Sequence, residues 1–328
     1  MTDHVRIGVL GAARITPGAV IKPARSSTTA EVVAVAARSR DRAQEFADKH
    51  GIPRVHTSYT ELLEDPAVDA IYNPLPNGLH GKWTLASLEA GKHVLCEKPF
   101  TANASEARVV ADAAAASGLV VMEAFHYRYH PMITRLQEII SSGVLGPLRH
   151  VSTALCFPLP VFSDIRYDMS LAGGAMMDAG CYAVNMARLF GEPTVRSARA
   201  LLRGPDIDRA MTASVVFPEG HTGTIQASMW SRTLLKISIR AIGEDGEVRV
   251  FNPLGPQFVH RLSLRLKDSR TSETFGKRPT YAYQLDAFTE AVLHGKPFPT
   301  TAEDAVKNMA VIDAIYEAAG LPVRQPSA

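Results

Sequence analysis

The sequence predicts an α/β protein with two parts: a doubly wound parallel sheet, then an α/β domain with a large, mostly antiparallel open sheet. Three observations predict this. Apolar runs alternate with helix-period segments up to about residue 124, and short β-rich segments separated by turn residues follow Pro147. A chain of 328 residues is longer than a domain with one hydrophobic core usually is. We therefore predict domains at 1–124 and 125–328, with the final helix, 301–319, a candidate to pack back on the first.

The elements follow from local patterns of apolar residues. Short apolar runs predict strands, and segments with a period near 3.6 that end at Gly or Pro predict helices. In the first domain the predicted strands are 5–10, 31–37, 68–72, 94–96 and 119–122, and the helices are 40–50, 60–65, 80–90 and 104–117. In the second domain the strands are 151–157, 195–202, 211–217, 222–229, 235–242 and 247–251, and the helices are 175–190, 281–293 and 301–319. The tail, 322–328, is predicted to be loose.

Composition excludes several classes of function. Hydrophobic residues make up 46% and charged residues 21%, as in soluble globular proteins. A net charge of +2 without a Lys/Arg run argues against a nucleic-acid partner. The three cysteines have no paired spacing, which indicates free thiols in a reducing compartment. Neither a leader nor a membrane-spanning apolar stretch is evident, so we expect a cytoplasmic protein with no membrane partner.

Lys98 is the first candidate for chemistry. Residues 94–100 end an apolar run on Glu97-Lys98 and then fix the backbone with Pro99. A buried strand that ends on a charged pair followed by proline places its lysine at the edge of a cleft. The alternative is a solvated lysine at a strand end, because motif matches this short also occur by chance.

The turn after the first strand is a candidate phosphate site. It reads Gly11-Ala12-Ala13-Arg14-Ile15-Thr16, which keeps only the first glycine of G-x-G-x-x-G. Alanine is small enough to let a pyrophosphate approach, and a helix N-terminus offers unpaired N–H groups. We therefore predict a bound dinucleotide here.

The tip of the second strand indicates which dinucleotide. NAD-selective proteins usually place Asp or Glu here, whereas this chain has Arg38-Ser39-Arg40. Two guanidiniums and a hydroxyl suit a 2′-phosphate by charge and geometry. NADP is therefore favoured over NAD. The alternative is that these arginines form a solvated helix start.

A Pro- and Asn-rich loop, 73–80, lies where an open α/β sheet places its ligand. Asn77, His80 and Arg128 are candidate nicotinamide, ribose or substrate contacts. His126 and His130 have a spacing that can bind metal, but no third ligand is obvious, so we predict no metal and assign them to cleft lining or packing. The predicted cofactor-binding residues are Gly11, Ala12, Ala13, Arg14, Ile15, Arg38, Ser39, Arg40, Pro74, Asn77, His80, Glu97, Lys98 and Arg128.

With these motifs and the segment Gly173-Gly174-Ala175-Met176-Met177-Asp178-Ala179-Gly180-Cys181-Tyr182, the chain resembles the Gfo/Idh/MocA oxidoreductases. The E-K-P and G-G-x-x-x-D-x-G-x-Y motifs appear in the family's order. The resemblance implies an NAD(P)-binding Rossmann domain, a C-terminal sheet used for oligomer contacts, and a catalytic lysine whose peptide bond to proline is often cis. We therefore expect a homodimer or homotetramer through the C-terminal sheet.

Tyr182 stands where many members of the family have histidine. With tyrosine at this position, the chain resembles the branch of dimeric dihydrodiol dehydrogenases and NADP-dependent xylose dehydrogenases. That branch pairs this tyrosine with the lysine of the E-K-P motif. The implied catalytic residues are Lys98, Tyr182 and Asp178. Tyr182 acts as the acid/base with Lys98 favouring its phenolate, or the two roles are exchanged. Asp178, one helical turn earlier, orients a substrate hydroxyl or Lys98, or is a simple helix-turn acid.

The predicted function is hydride transfer between NADP and a secondary alcohol or ketone of a sugar, anhydro sugar, cyclitol or cyclic dihydrodiol. Two alternatives stay open. One is an NAD-dependent glycosidase that keeps its cofactor tightly bound, against which Arg38 and Arg40 argue. The other is a nucleotide-binding sensor without turnover, which the presence of both Lys98 and Tyr182 disfavours.

Overall fold

The structure is a computed structural model that describes residues 4–328. These residues form two compact units. The first contains the chain through His126 and then Tyr281–Val306, and the second contains Tyr127–Thr280 and Lys307–Ser327. The first unit thus combines two stretches that are far apart in sequence.

The first unit is built on a parallel sheet. Its strands are β1 (Val5–Leu10), β2 (Ala30–Ala36), β3 (Arg54–His56), β4 (Ala70–Asn73), β5 (His93–Cys96) and β6 (Val121–Glu123). The six strands lie in the order β3-β2-β1-β4-β5-β6, and every neighbouring pair is parallel. The strands therefore all end at one edge, and the strand order reverses between β1 and β4, where sheets of this kind bind ligands. The predicted doubly wound sheet is confirmed.

Five helices connect these strands. They are α1 (Lys22–Arg25), which continues a π-helical turn at Pro17–Ile21, α2 (Arg40–His50), α3 (Tyr59–Glu64), α4 (His80–Glu89) and α5 (Ala104–Ser117). The side chains of Ser39, Ser58 and Asn103 accept a hydrogen bond from the third backbone N–H of α2, α3 and α5. Such caps satisfy N–H groups that lack a partner within the helix, so they fix where each helix begins.

The second unit is built on a mostly antiparallel sheet. Its strands are β7 (Leu148–Cys156), β8 (Thr194–Arg203), β9 (Ile207–Val216), β10 (Thr222–Ser228), β11 (Lys236–Gly243), β12 (Gly246–Phe251), β13 (Arg261–Leu266) and β14 (Arg270–Glu273). The eight strands lie in the order β14-β13-β12-β11-β7-β10-β9-β8. Only the β7–β10 pair among these is parallel, so the predicted sheet type is confirmed.

Four more helices complete the described chain: α6 (Pro131–Ser141), α7 (Cys181–Ala187), α8 (Thr280–His294) and α9 (Ala302–Ala318). A π-helical turn, Met176–Gly180, leads directly into α7. No helix within residues 4–328 is long and apolar enough to cross a membrane.

Several elements differ from the sequence prediction. Strands β3, β13 and β14 and helix α6 were not predicted. Pro131 is the first residue of α6, where its missing N–H costs nothing. The tail is not loose throughout, because Arg324 is fully buried.

Candidate active site

The turn after β1 has a backbone geometry that would let a ligand lie close to the main chain. Gly11 has a φ of +84°, and its N–H donates to Ala36 at 2.7 Å. A Cβ at this position would meet Leu75 at 3.2 Å. Ala12 and Ala13 are half-buried and Arg14 and Ile15 are exposed. A positive φ favours glycine, which explains why this glycine is the one that remains of the motif.

The segment that follows β2 carries the predicted Arg38 and Arg40, and Arg42 in the first turn of α2 adds a third arginine. Arg38 and Arg40 are exposed, and Ser39 caps α2 by accepting a hydrogen bond from the backbone N–H of Arg42 at 3.3 Å. The Arg42 guanidinium donates to the carbonyl of Ala12 at 3.3 Å, and Arg42 lines a pocket together with Ala12, Ala13 and Arg14. Sequence reasoning missed Arg42, although the run of arginines was a signal for it.

The segment after β5 carries Lys98 at the carboxyl edge of the parallel sheet. Lys98 is half-buried, and its peptide bond to Pro99 is cis, as the resemblance implied. Glu97 accepts a hydrogen bond from the Tyr72 hydroxyl at 2.7 Å, and Glu123 accepts one from the Phe100 N–H at 2.9 Å. Both carboxylates are buried, so they hold the chain rigidly on each side of Lys98.

The loop between β4 and α4 is folded by its own side chains. The Asn73 amide donates to the carbonyl of His80 at 3.1 Å and to Thr84 at 3.3 Å. The two ring nitrogens of His80 lie 2.7 Å from the carbonyls of Leu75 and Pro99. Pro74 is buried, and Asn77 begins a short 3₁₀ turn. His80 therefore lies between this loop and the Lys98 segment and contacts both.

Two neutral histidines lie within the electrostatic reach of Lys98. Burial lowers the pKa of His80 to about 4, and the Lys98 charge acts in the same direction, against two carbonyls that favour the protonated ring. Burial and then the Lys98 charge lower the pKa of His126 to about 3. The His126 ring lies 4.1 Å from that of Tyr281 in α8. Burial, followed by the charge of Glu97, raises the pKa of Tyr281.

We predict that these histidines make the protein sensitive to acid. Unfolding restores their ordinary pKa of 6.5, so between that value and 3 to 4 the unfolded state binds more protons. The free energy of unfolding is therefore fully retained above pH 6.5 and falls as the pH drops below it. Denaturant titrations from pH 7 to pH 4 check this. His126→Phe should flatten the dependence, whereas replacement of the exposed His294 by Gln should not; equal slopes would contradict the assignment.

In the second unit, Asp178 and Tyr182 lie on one continuous helical segment. Asp178 sits in the π-helical turn and Tyr182 in α7, and both are buried. The Arg166 guanidinium lies 3.1 Å from the Asp178 carboxylate, whose charge is the main cause of the raised pKa of Arg166. Asp178 is thus part of an ion pair with Arg166. Arg166 was missed, and no pattern in the sequence singles it out.

Arg128 also has a partner in this unit. It donates to the Asn185 side-chain oxygen at 3.3 Å, and the Tyr127 hydroxyl donates to the same oxygen at 2.6 Å. The Tyr127 ring lies 6.1 Å from that of Tyr182. Arg128 is therefore held close to the helix that carries Tyr182.

The two histidines with metal-like spacing are used for packing. His130 caps α6 by accepting from the Met132 N–H at 3.2 Å, and His126 packs on Tyr281. The described residues contain no group of three His, Cys, Asp or Glu side chains arranged to hold a metal ion.

The chain is similar to several oxidoreductases. It is 38% identical over 318 residues to D-xylose 1-dehydrogenase (NADP(+)) 2 of Haloferax volcanii, covering 95% of this chain and 96% of the relative. It is 36% identical over 208 residues to trans-1,2-dihydrobenzene-1,2-diol dehydrogenase of Mus musculus, covering 62% of each. The structure matches KijD10, a 3-ketoreductase from Actinomadura kijaniata in complex with NADP and TDP-benzene, with a TM-score of 0.89, 28% identity and coverage of 96% and 98%.

Family models match both parts of the chain. Residues 5–125 match the model of an oxidoreductase family with an NAD-binding Rossmann fold, and residues 133–249 match the GFO/IDH/MocA C-terminal domain. Together these segments cover more than half of the 328 residues. The chain therefore belongs to the Gfo/Idh/MocA family of oxidoreductases.

Proposed function

We propose that the protein is an NADP-dependent dehydrogenase or reductase that acts on a secondary alcohol or ketone of a sugar, anhydro sugar, cyclitol or cyclic dihydrodiol. The observation that carries the proposal is the half-buried Lys98 at the carboxyl edge of the parallel sheet, the edge that also carries the Gly11 turn and Arg38. D-xylose is the first substrate to test, because a relative identical at 38% of positions bears that activity in its name.

The first unit offers residues that fit a dinucleotide phosphate. The positive φ of Gly11 and the tight space at its Cβ position suit a pyrophosphate lying against the backbone of residues 11–15. Arg38, Ser39 and Arg40 would hold the 2′-phosphate, with Arg42 beside them. A cluster of cations at this strand tip favours NADP over NAD.

Replacing Arg38 with alanine is expected to raise KM for NADP and to leave KM for NAD nearly unchanged. Loss of a charge-assisted phosphate contact costs about 2 kcal/mol, or about 30-fold in affinity. Initial rates with each cofactor measure the change. Arg108→Ala, which removes an exposed arginine paired with Glu303 in the same unit, is the matched control. Equal effects of the two variants on NADP would remove Arg38 from the site.

In the proposed mechanism the bound nicotinamide supplies the hydride acceptor or donor, and the protein moves the proton. Tyr182 takes the proton of the substrate hydroxyl during oxidation and returns it during reduction. Lys98 is proposed to favour the phenolate form of Tyr182 through the positive charge of its ammonium. Asp178, held by Arg166, orients a substrate hydroxyl. The Glu97 carboxylate accepts from the Tyr72 hydroxyl and the Glu123 carboxylate accepts from the Phe100 N–H, which holds the chain on each side of Lys98.

The function is tested by NADP-linked absorbance assays over a panel of pentoses, hexoses, anhydro sugars, cyclitols and dihydrodiols, in both directions. We expect at least one alcohol to reduce NADP, with the nucleotide released at each turnover. A cofactor that stays bound through many turnovers would favour the glycosidase alternative. Tight NADP binding with no turnover on any substrate would favour the sensor.

We also propose a cytoplasmic assembly of two or four copies. Leu201 and Leu202 on β8 and Phe251 on β12 expose large apolar side chains on the second sheet. All three cysteines are buried free thiols, which supports a reducing compartment.

A further inference from the structure

Arg324 is a fully buried cation in a tail that sequence patterns describe as loose. Its side chain is 0% exposed and follows the end of α9. It donates to the carbonyls of Gly173 at 2.7 Å, Pro322 at 3.0 Å and Asp206 at 3.1 Å, and to the Asp208 carboxylate at 2.9 Å. A buried guanidinium is tolerated only when its donors are satisfied in this way.

Asp208, the partner of Arg324, is also 0% exposed. Its carboxylate accepts from the Met176 N–H at 2.7 Å and from the Tyr316 hydroxyl at 3.0 Å. The Arg324 guanidinium lies 4.1 Å from the centre of the Tyr316 ring. The three side chains therefore form one network, which we call the tail clamp: Asp208, Tyr316 and Arg324.

The tail clamp grips the start of the segment that carries Asp178 and Tyr182. Arg324 binds the carbonyl of Gly173, and Asp208 binds the N–H of Met176, so the clamp holds the backbone on both sides of Gly174. Gly174 has a φ of +128°, and a Cβ there would collide with all three clamp side chains.

The Gly173-Gly174 turn is hydrogen-bonded directly to Asp178. The Gly174 carbonyl accepts from the Asp178 N–H at 3.0 Å. The N–H groups of Gly173 and Gly174 donate to the carbonyls of Asp168 and Arg166 at 2.9 Å and 2.8 Å. Arg166 is the residue that pairs with the Asp178 carboxylate. Displacement of this turn would move the helix start, Asp178 and its ion-pair partner together.

We propose that Arg324 is a positioning residue, which through Asp208 and the Gly173-Gly174 turn sets where Asp178 and Tyr182 stand for the reaction. The inference rests on the proposed function because it assumes that these two side chains touch the substrate. It assigns a role in turnover to the C-terminal tail. A displacement of about 1 Å is enough to cost on the order of 100-fold in rate.

The test compares Arg324→Lys with a matched control, Arg188→Lys. Arg188 is also buried, and it pairs with Glu192 through two hydrogen bonds of 2.9 Å just beyond α7. Both variants keep the charge and lose the planar fork of donors. We expect kcat to fall about 10- to 100-fold in Arg324→Lys and less than about 2-fold in Arg188→Lys, with the Kd for NADP unchanged in both.

Hydrogen exchange measured by mass spectrometry gives a readout that does not need turnover. In Arg324→Lys we expect faster exchange in residues 173–182 and parent-like exchange in the parallel sheet. Parent kcat with parent exchange, or equal kcat losses in the two variants, would overturn the inference. If Arg324→Lys does not fold, Tyr316→Phe, which removes one bond to Asp208, carries the same test with a smaller loss. If the unaltered protein shows no turnover, that result counts against the proposed function. The exchange result would then still test whether the tail clamp holds residues 173–182 in place.

Discussion

Replacing Lys98 with methionine is expected to reduce kcat by about 1,000-fold while the Kd for NADP changes little, since a positioned proton-transfer or charge-stabilising group contributes about 10²–10⁴-fold. Methionine keeps an unbranched apolar stem of four heavy atoms, with sulfur in place of the δ-methylene, and lacks the ammonium. Steady-state rates with the best substrate of the panel, together with NADP fluorescence titrations, measure the two quantities.

The environment of Lys98 explains why so large an effect is expected. His80 and His126 are neutral at pH 7, because burial lowers the pKa of the first to about 4 and of the second to about 3. Lys98 is the charged side chain that acts on both of them. Neither neutral imidazole replaces an ammonium beside a developing alkoxide or phenolate.

The control for this variant is Lys82→Met, which removes an exposed ammonium from α4 in the same unit. It should keep the parent kcat. If the Lys98→Met variant binds NADP and has the same kcat as Lys82→Met, then Lys98 takes no part in the chemistry.

Replacing Tyr182 with phenylalanine is the second variant with a large expected effect, a loss of about 100- to 1,000-fold in kcat. The change removes one hydroxyl and keeps the ring, which is buried next to that of Tyr127 at 6.1 Å. Because the fold keeps its packing, the loss should appear in turnover and leave the thermal midpoint within a few degrees of the parent.

Tyr167→Phe is the matched control, because it also removes the hydroxyl of a buried tyrosine in the second unit. That hydroxyl donates to the carbonyl of Leu159 at 2.9 Å. We expect the control to lose some stability and to keep its turnover. Full activity in Tyr182→Phe would assign the proton transfer to another group, with Lys98 the first choice.

Much of the fold could be predicted because the signals are local. The bounds of α2 and α5 match the prediction, since each begins at a side-chain cap and ends before a glycine with positive φ. Helix α6 was not predicted, although its apolar residues carry a signal for it. Met132, Ile133, Leu136 and Ile139 are its buried residues, and they have a helical period.

The parts of the candidate site that could not be predicted depend on distant contacts. Arg166 faces Asp178, and Arg324 faces Asp208, only because the chain folds back on itself. Similarly, α8 brings Tyr281 to His126 in the first unit, although many strands of the second unit lie between them in sequence. Such pairings have no local period or spacing, so a single sequence gives no signal for them.

We propose that Lys98 and Tyr182 act as one couple on the same proton, and the double variant Lys98→Met/Tyr182→Phe tests this proposal. Groups that act as a unit give non-additive losses. We predict that kcat of the double variant will be within about 5-fold of the slower single variant, with NADP still bound. Losses that multiply, so that the double variant is slower by the product of the two single effects, would contradict the claim.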